Sequence, residues 1–352
     1  MSIQFIDLQA QRRRIGPAMT HAILDAVEGG AWVMGPQVRQ FEADLAAFGH
    51  AKHALGCANG TDALALPLMA WGIGRGDAIF CPSFTFAATG EVAPWFDAEN
   101  VFVDILPDTY NIDPEHLEAS IQAVKAEGRL TPRVVIAVDL FGQPADYPRI
   151  REICDRHGLK LIADTAQGFG CTLNGQHPIH WADIATTSFF PAKPLGCYGD
   201  GGAVLTNDDD LAELVDSVRV HGKAVARDLK GRTFEHDPKY LNMRVGMNSR
   251  LDTIQAAILI EKLKVFPGEI EARGRIACRY NELLKDHVTA VPTAVYYPIP
   301  LHQQPAYAHH SIGPQGLAVT EAKSKVVMSL PMHSDLDEAT QDQIVAAVRS
   351  FA

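Results

Sequence analysis

Residues 186–202 read TTSFFPAKPLGCYGDGG, and Lys193 stands in that run among prolines, glycines and aromatics with no charged neighbour on either side. The run directly follows a stretch that reads as a strand. A lysine normally keeps its ammonium in water; one held out of water has a lowered pKa and serves as a nucleophile or Schiff-base former. A surface-loop lysine would carry the same letters, so the run by itself leaves both readings open. Around it, from about residue 50 to 210, helix-period stretches alternate with short apolar runs at 78–81, 101–103, 134–138, 161–163 and 203–205. Strands buried on both faces read this way, which predicts an α/β fold with a mainly parallel sheet and helices on both faces.

Asp164 lies 29 residues before Lys193, in LIADTAQGFG (161–170), at the end of an apolar run. The C-terminal edge of a parallel strand is where ligands of open α/β sheets bind. A carboxylate there suits the pyridinium nitrogen of pyridoxal 5'-phosphate (PLP), keeping the ring protonated as an electron sink. Gln167 is spaced to reach the ring hydroxyl. An Asp that only caps the next helix would look the same. ANGTDA (58–63) follows the strand-like HALGC and opens an apolar helix. Gly60 and Thr61 sit at that N-terminus, where free amides and the dipole bind phosphate, although ordinary capping selects the same residues. CPSFTFAAT (81–89) runs from a strand into a loop and offers Phe84 and Phe86 as faces for a planar ring, against the commoner fate of Phe in a core. Phosphate turn, aromatic, Asp and Lys, in that order at strand ends, are what PLP chemistry demands.

The chain has 352 residues, more than a usual domain of roughly 100–200. A composition shift near 250–290 divides it into a large PLP-binding domain, 1–250, and a small C-terminal domain, 251–352. Helical spacing is expected at 209–220, from 252 to about 285 and at 338–351, with a Pro- and Tyr-rich portion at 291–307. A 47% hydrophobic and 21% charged composition is that of a globular protein with a real core. The six cysteines are never closer than 17 residues, which fits neither a zinc knuckle nor a redox pair; no metal site is expected. A net charge of −11 argues against a nucleic-acid partner. An anionic ligand needs only a local nest of amides or a few arginines. No apolar run reaches the ~18 residues of a membrane span, and MSIQFIDLQAQRRRIG lacks a signal-peptide pattern, so a cytoplasmic protein is expected.

Ten blocks in order resemble the DegT/DnrJ/EryC1/StrS sugar aminotransferases, of the fold-type I PLP-dependent transferase class. They are FIDL, GPQVRQFE, ANGTDAL, PSFTFAAT, DLFGQPAD, IADTAQGFG, SFFPAKPLGCYGDGG, GMNSRLDTIQAAIL, YPIPLHQQPAY and SLPMH. The resemblance implies amino transfer from L-glutamate to a keto group on a nucleotide-linked sugar. It implies Lys193 as the Schiff-base lysine, Asp164 at the pyridine nitrogen, Gln167 near the ring hydroxyl and Phe86 in the stacking position. It gives Gly60, Thr61 and Ser188 to the phosphate, with Asn248 reaching that site from the other subunit of a homodimer. Arg250 and Arg244 become candidates for anionic parts of the substrate, since guanidinium forks suit phosphate or carboxylate; a structural salt bridge would use them equally well. Tyr297, His302 and His333 fall in motifs near the sugar pocket, although a lone His is often structural.

Within the family the wording is similar to enzymes that aminate UDP-2-acetamido-2-deoxy-3-oxo-glucuronate at C3, in bacterial surface-polysaccharide (O-antigen) sugar synthesis. Aminotransferases for dTDP- or GDP-linked 3- or 4-keto-6-deoxyhexoses share much of it. The chain departs from the family after Asp286, where VTAVPTAVYYPIPLH follows almost at once in place of a further stretch of the small α/β domain. Tyr296 also stands where the family commonly shows His. A genuine deletion would shorten the small domain and leave a non-catalytic PLP or nucleotide-sugar binding protein as the rival reading. A sugar dehydratase of the same fold typically replaces the lysine with His, which Lys193 argues against.

Overall fold

The computed structural model describes residues 3–233, 235, 237–284 and 296–350. Eight strands form one sheet: β1 (His53–Cys57), β2 (Asp77–Pro82), β3 (Glu99–Val103), β4 (Thr131–Val138), β5 (Lys160–Asp164), β6 (Ile184–Ser188), β7 (Gly202–Thr206) and β8 (Ser311–Ile312). Their order is β1-β7-β6-β5-β4-β2-β3-β8. β7 pairs antiparallel with both neighbours, and the other pairings are parallel. The apolar runs expected as strands lie in β2, β3, β4, β5 and β7, and Val, Ile, Ala and Leu in them are buried on both faces.

The described residues also form twelve α-helices: α1 (Leu8–Ile15), α2 (Pro17–Glu28), α3 (Pro36–Phe48), α4 (Gly60–Ala70), α5 (Ala87–Glu91), α6 (Pro114–Glu127), α7 (Tyr147–His157), α8 (Asp209–Val218), α9 (Ala226–Leu229), α10 (Thr253–Leu284), α11 (Ala318–Lys323) and α12 (Glu338–Ser350). Local chemistry sets several starts. Asn59, Asp113, Asp146 and Asp208 each accept a first-turn amide as N-caps of α4, α6, α7 and α8. One face of the sheet packs Phe80, Val135, Leu161 and Leu205 against α3, α6, α7 and the first half of α10. The other packs Ile79, Ile136, Ile162 and Val204 against α4 and α8.

α10 is one continuous helix of 32 residues that runs through Pro267. Its first half carries Ala256, Leu259, Leu263 and Phe266 into the main core. Its second half carries Ile276, Tyr280 and Leu284 into a separate small core with Leu336 and with Ile344, Val345 and Val348 of α12. The boundary at 250/251 therefore falls just before an element that belongs to both cores. Residues 301–317 return to the large sheet: Leu301 and Leu317 join its core, and β8 extends its edge beside β3. The shortened junction after Asp286 lies outside the described residues. Among the described residues no helix is long and apolar enough to cross a membrane, and no cluster of His, Cys, Asp or Glu is arranged to hold a metal.

Polar groups tie α1 to the middle of α10. Glu269 is 2% exposed and accepts from Gln11 Nε2 at 2.9 and 3.0 Å and from Arg14. Two turns earlier, Lys262 is buried with its Nζ 4.5 Å from the ring centroid of Tyr198, in the loop after Lys193. Burial lowers its pKa to about 8, against the opposing pull of Cys197 and Glu269. The folded chain thus releases this proton near pH 8 while the unfolded chain holds it to about pH 10, so stability rises with pH across that window. Lys262→Met should remove this slope and raise stability at pH 7 by on the order of 3 kcal/mol. Urea midpoints from pH 6.5 to 10, on a scale set by the usual lysine range, check this; parallel curves for the two proteins would contradict it.

Candidate active site

β6, β5, β4 and β2 are neighbours in the sheet and parallel, so their C-terminal ends lie side by side, the position where open α/β sheets hold their ligands. β6 ends at Ser188, and the following loop turns back on itself through Lys193 N–H donating to Phe190 O at 2.8 Å. The Lys193 ammonium lies 5.8 Å from the ring centroid of Phe86. No hydrogen bond or ion pair engages it among the described residues. Burial pulls its pKa below the ordinary lysine range, and the charge of Asp164 opposes that shift. Phe86 comes from the β2 side, at the N-cap of α5, and is 55% exposed. An aromatic face left open beside a desolvated amine is a surface for a planar ring.

Asp164 closes β5 and is buried. Its Oδ1 accepts from Ala166 N at 3.2 Å and its Oδ2 from Thr89 Oγ1 at 3.1 Å. Burial raises its pKa, while Ala166 N–H, the Lys193 charge and Thr89 hold it down. Both oxygens keep a lone pair for a cationic N–H donor. Gln167 follows in the same loop, accepting from Phe141 N at 3.1 Å and donating to the Tyr297 hydroxyl at 2.9 Å. Tyr297 packs edge-on to Phe84 and stacks on Phe141, and burial pushes its phenol pKa up.

The third part of the site is the start of α4. Asn59 Oδ1 takes the Asp62 amide at 2.8 Å, and Asn59 O takes that of Ala63. The amides of Gly60 and Thr61 remain over, as at any helix start. Gly60 is pressed against β6: a Cβ there would lie 2.5 Å from Ser188 Cβ. Two free amides and a serine hydroxyl at a helix N-terminus form an anion cradle.

The other expected site residues lie differently. Asn248 is exposed; no hydrogen bond joins it to Gly60, Thr61 or Ser188, although Ser249 Oγ beside it accepts from Ala58 N at 3.1 Å. Arg250 is half-buried and has no hydrogen-bond or ion-pair partner among the described residues. Arg244 is already engaged, donating to Ser217 Oγ and pairing with Asp228, so its guanidinium serves the 217–244 segment. His302 is spanned by Ser83 Oγ at 2.7 Å on Nδ1 and Glu321 at 3.2 Å on Nε2, which fastens the Tyr297 segment to the end of β2. His333 is buried beside Asp7, Asp335 and Arg273, none of which belongs to the Lys193 group.

The DegT/DnrJ/EryC1/StrS aminotransferase family model matches residues 13–293 and 287–349. The chain belongs to this family. A UDP-2-acetamido-2-deoxy-3-oxo-D-glucuronate aminotransferase of Pseudomonas aeruginosa is 40% identical over 98% of this chain and 99% of its own. A UDP-N-acetyl-3-dehydro-alpha-D-glucosamine 3-aminotransferase of Acidithiobacillus ferrooxidans is 34% identical, over 99% and 97%. The crystal structure of a DegT DnrJ EryC1 StrS aminotransferase from Brucella abortus is 46% identical and superposes with a TM-score of 0.93 over 99% of each chain. The Pseudomonas alignment spans 381 positions against 352 residues here, so at least 29 positions of that relative have no counterpart in this chain. The two family matches meet at 287–293, where the sequence reads as shortened.

The protein is therefore a PLP-dependent aminotransferase with the fold expected from its sequence. Its own residues fit that cofactor. A desolvated amine, a buried carboxylate with free lone pairs, an open aromatic face and an anion cradle occur together at one sheet edge. Thr89 is the contact that motif reading passes over. It sits in the PSFTFAAT block, but nothing in its spacing shows that its hydroxyl reaches Asp164 from another strand.

Proposed function

We propose that this aminotransferase moves the amino group of L-glutamate to C3 of UDP-2-acetamido-2-deoxy-3-oxo-glucuronate, in the cytoplasm, for bacterial surface-polysaccharide (O-antigen) sugars. The observation that supports the site assignment is the Lys193 ammonium 5.8 Å from the Phe86 ring centroid and under the charge of Asp164, with Gln167 in the loop that follows Asp164. The substrate rests on likeness to the two UDP-keto-sugar aminotransferases described above.

PLP, when bound, supplies an electron sink for the carbon bearing the transferred nitrogen. Lys193 would hold the cofactor and, once displaced by the substrate amine, would carry a proton on its Nζ, a task suited to an amine whose pKa burial has lowered. Asp164 would accept from the ring N–H and keep that proton in place. Gln167, fixed by Phe141 N–H and the Tyr297 hydroxyl, orients the ring hydroxyl. Phe86 covers one ring face, and Gly60, Thr61 and Ser188 hold the phosphate. Asn248, exposed in a single chain, reaches the phosphate site of a second copy in a homodimer, and Arg250 is a candidate for the anionic part of the sugar nucleotide.

A panel of UDP-, dTDP- and GDP-linked 3- and 4-keto sugars, each assayed with L-glutamate for 2-oxoglutarate release, tests the proposal. The UDP-3-oxo-glucuronate derivative should exceed the 6-deoxyhexoses in kcat/KM by at least about 100-fold, because binding groups built for a charged substituent reject its absence. Preference for a dTDP- or GDP-linked 6-deoxyhexose would overturn the substrate assignment and leave the aminotransferase activity intact.

A further inference from the structure

A second carboxyl, unused by the mechanism above, is buried beside Asp164. Asp139 follows the end of β4 and is 0% exposed. Its Oδ1 accepts from the Tyr147 hydroxyl at 2.7 Å and from Ala145 N at 3.2 Å, and its Oδ2 meets Cys171 Sγ at 3.6 Å. Its amide donates to Asp164 O at 3.0 Å, joining the two strand ends directly. Gly168 closes over it so tightly that a Cβ there would stand 2.4 Å from Asp139 Cβ. One carboxyl thus touches the start of α7, the 139–145 loop and the 164–171 loop.

Those two loops carry the groups that fix the cofactor end of the site. Phe141, held at φ 56, donates its amide to Gln167 and stacks on Tyr297. Asn111 secures the same loop by donating to Gln143 O and Pro144 O, both at 3.0 Å, and accepting from Leu140 N. We propose that Asp139 is a positioning residue for the cofactor, its carboxyl clamping the loops that present Gln167 and Phe141 beside Asp164. The role rests on Asp164 serving the pyridine nitrogen.

The groups facing Asp139 are Tyr147 on α7, Cys171 in the loop after β5, and Asp164 on β5; none is a cation. Burial, with the charge of Asp164 adding to it, raises its pKa to about 7, against the bonds from Tyr147, Ala145 and Cys171. The folded chain therefore keeps a proton that the unfolded chain loses near pH 4, so this group lowers stability as pH rises from about 4 to 7 and adds no slope above that. Ionisation near neutrality would also change the field at the cofactor.

Asp139→Asn keeps the shape and can still accept from Tyr147 and Ala145 while its amide faces Cys171 Sγ. Two measurements compare it with the unmodified protein: the urea midpoint of the cofactor-free chain from about pH 5 to 8, and the pH titration of the visible absorbance of the PLP-loaded protein. The expected result is that the midpoint falls less steeply toward pH 7 in the variant, the part of the slope that remains being that of Asp164, and that a near-neutral step in the absorbance is lost. Tyr147→Phe, which removes one bond to the charged form, should shift that step to higher pH. Asp139→Ala, which releases the clamp, should weaken PLP binding by about 10-fold, the usual scale for losing a group that orients a contact residue. An Asp139→Asn midpoint that follows the unmodified curve would overturn the assignment, whatever the cofactor does. So would an absorbance titration unchanged in Asp139→Asn but altered in Asp164→Asn. Unchanged titration in both variants would instead refute Asp164 at the pyridine nitrogen.

Discussion

Lys193→Ala should lower kcat for amino transfer by at least about 10⁴-fold, since in the proposed mechanism one side chain both holds the cofactor and moves the proton. The loss is a loss of chemistry and not of folding. In the cofactor-free chain the Lys193 ammonium is half-buried, without a hydrogen bond among the described residues, and held below its ordinary pKa. A lysine with a lowered pKa costs stability at neutral pH, so the alanine variant should unfold at an equal or higher urea concentration. The same variant tests the proposed sharing of the site across a homodimer. Mixed with Asn248→Ala subunits under conditions of exchange, it should recover part of the activity, because one site of each mixed dimer has its own Lys193 and the other copy's Asn248. No recovery in freely exchanging subunits would count against Asn248 acting across a dimer.

Asp164→Asn should lower kcat by about 10³-fold, the scale on which a preorganised polar group acts in a site that excludes water. The amide can keep the bonds now made by Ala166 N–H and Thr89, so the loop should stay in place. What it loses is the negative charge proposed above to hold a proton on the pyridine nitrogen. The sign of the stability effect is again opposite to that on activity. Burial raises the Asp164 pKa in the folded chain, so the charged carboxylate lowers stability as pH rises past the usual Asp range, and the cofactor-free Asn variant should be the more stable at pH 7. Kinetics and urea unfolding on one preparation check both halves. An Asn variant that retains more than about a tenth of the activity would remove Asp164 from the cofactor's electronics.

Much of this was legible because an open α/β sheet puts its chemistry at strand ends. The apolar runs marked β2 and β5, and Phe86 and Asp164 follow those runs, whereas Asp139 at the end of the β4 run was not singled out. Lys193 stood out by the absence of charge around it, and Gly60 by its place in the ANGTDA helix start, while its close approach to Ser188 shows only in the fold. Long-range geometry was not legible. Nothing in local spacing shows Thr89 bonded to Asp164, or Tyr297 reaching Gln167 across 130 residues. The composition shift near 250–290 suggested a boundary, yet α10 runs unbroken through it and feeds two cores. Arg244 fitted the role of an anion binder by residue type, and its pairing with Asp228 depends on the path of a loop that no periodicity describes.

The assignment of the cofactor lysine is tested most directly by borohydride reduction of the PLP-loaded protein, followed by proteolysis and mass mapping of the labelled peptide. The label should be found on the peptide that carries Lys193 and should be missing from Lys193→Ala. A label on another lysine, above all on Lys262, a buried amine whose pKa is also lowered, would contradict it.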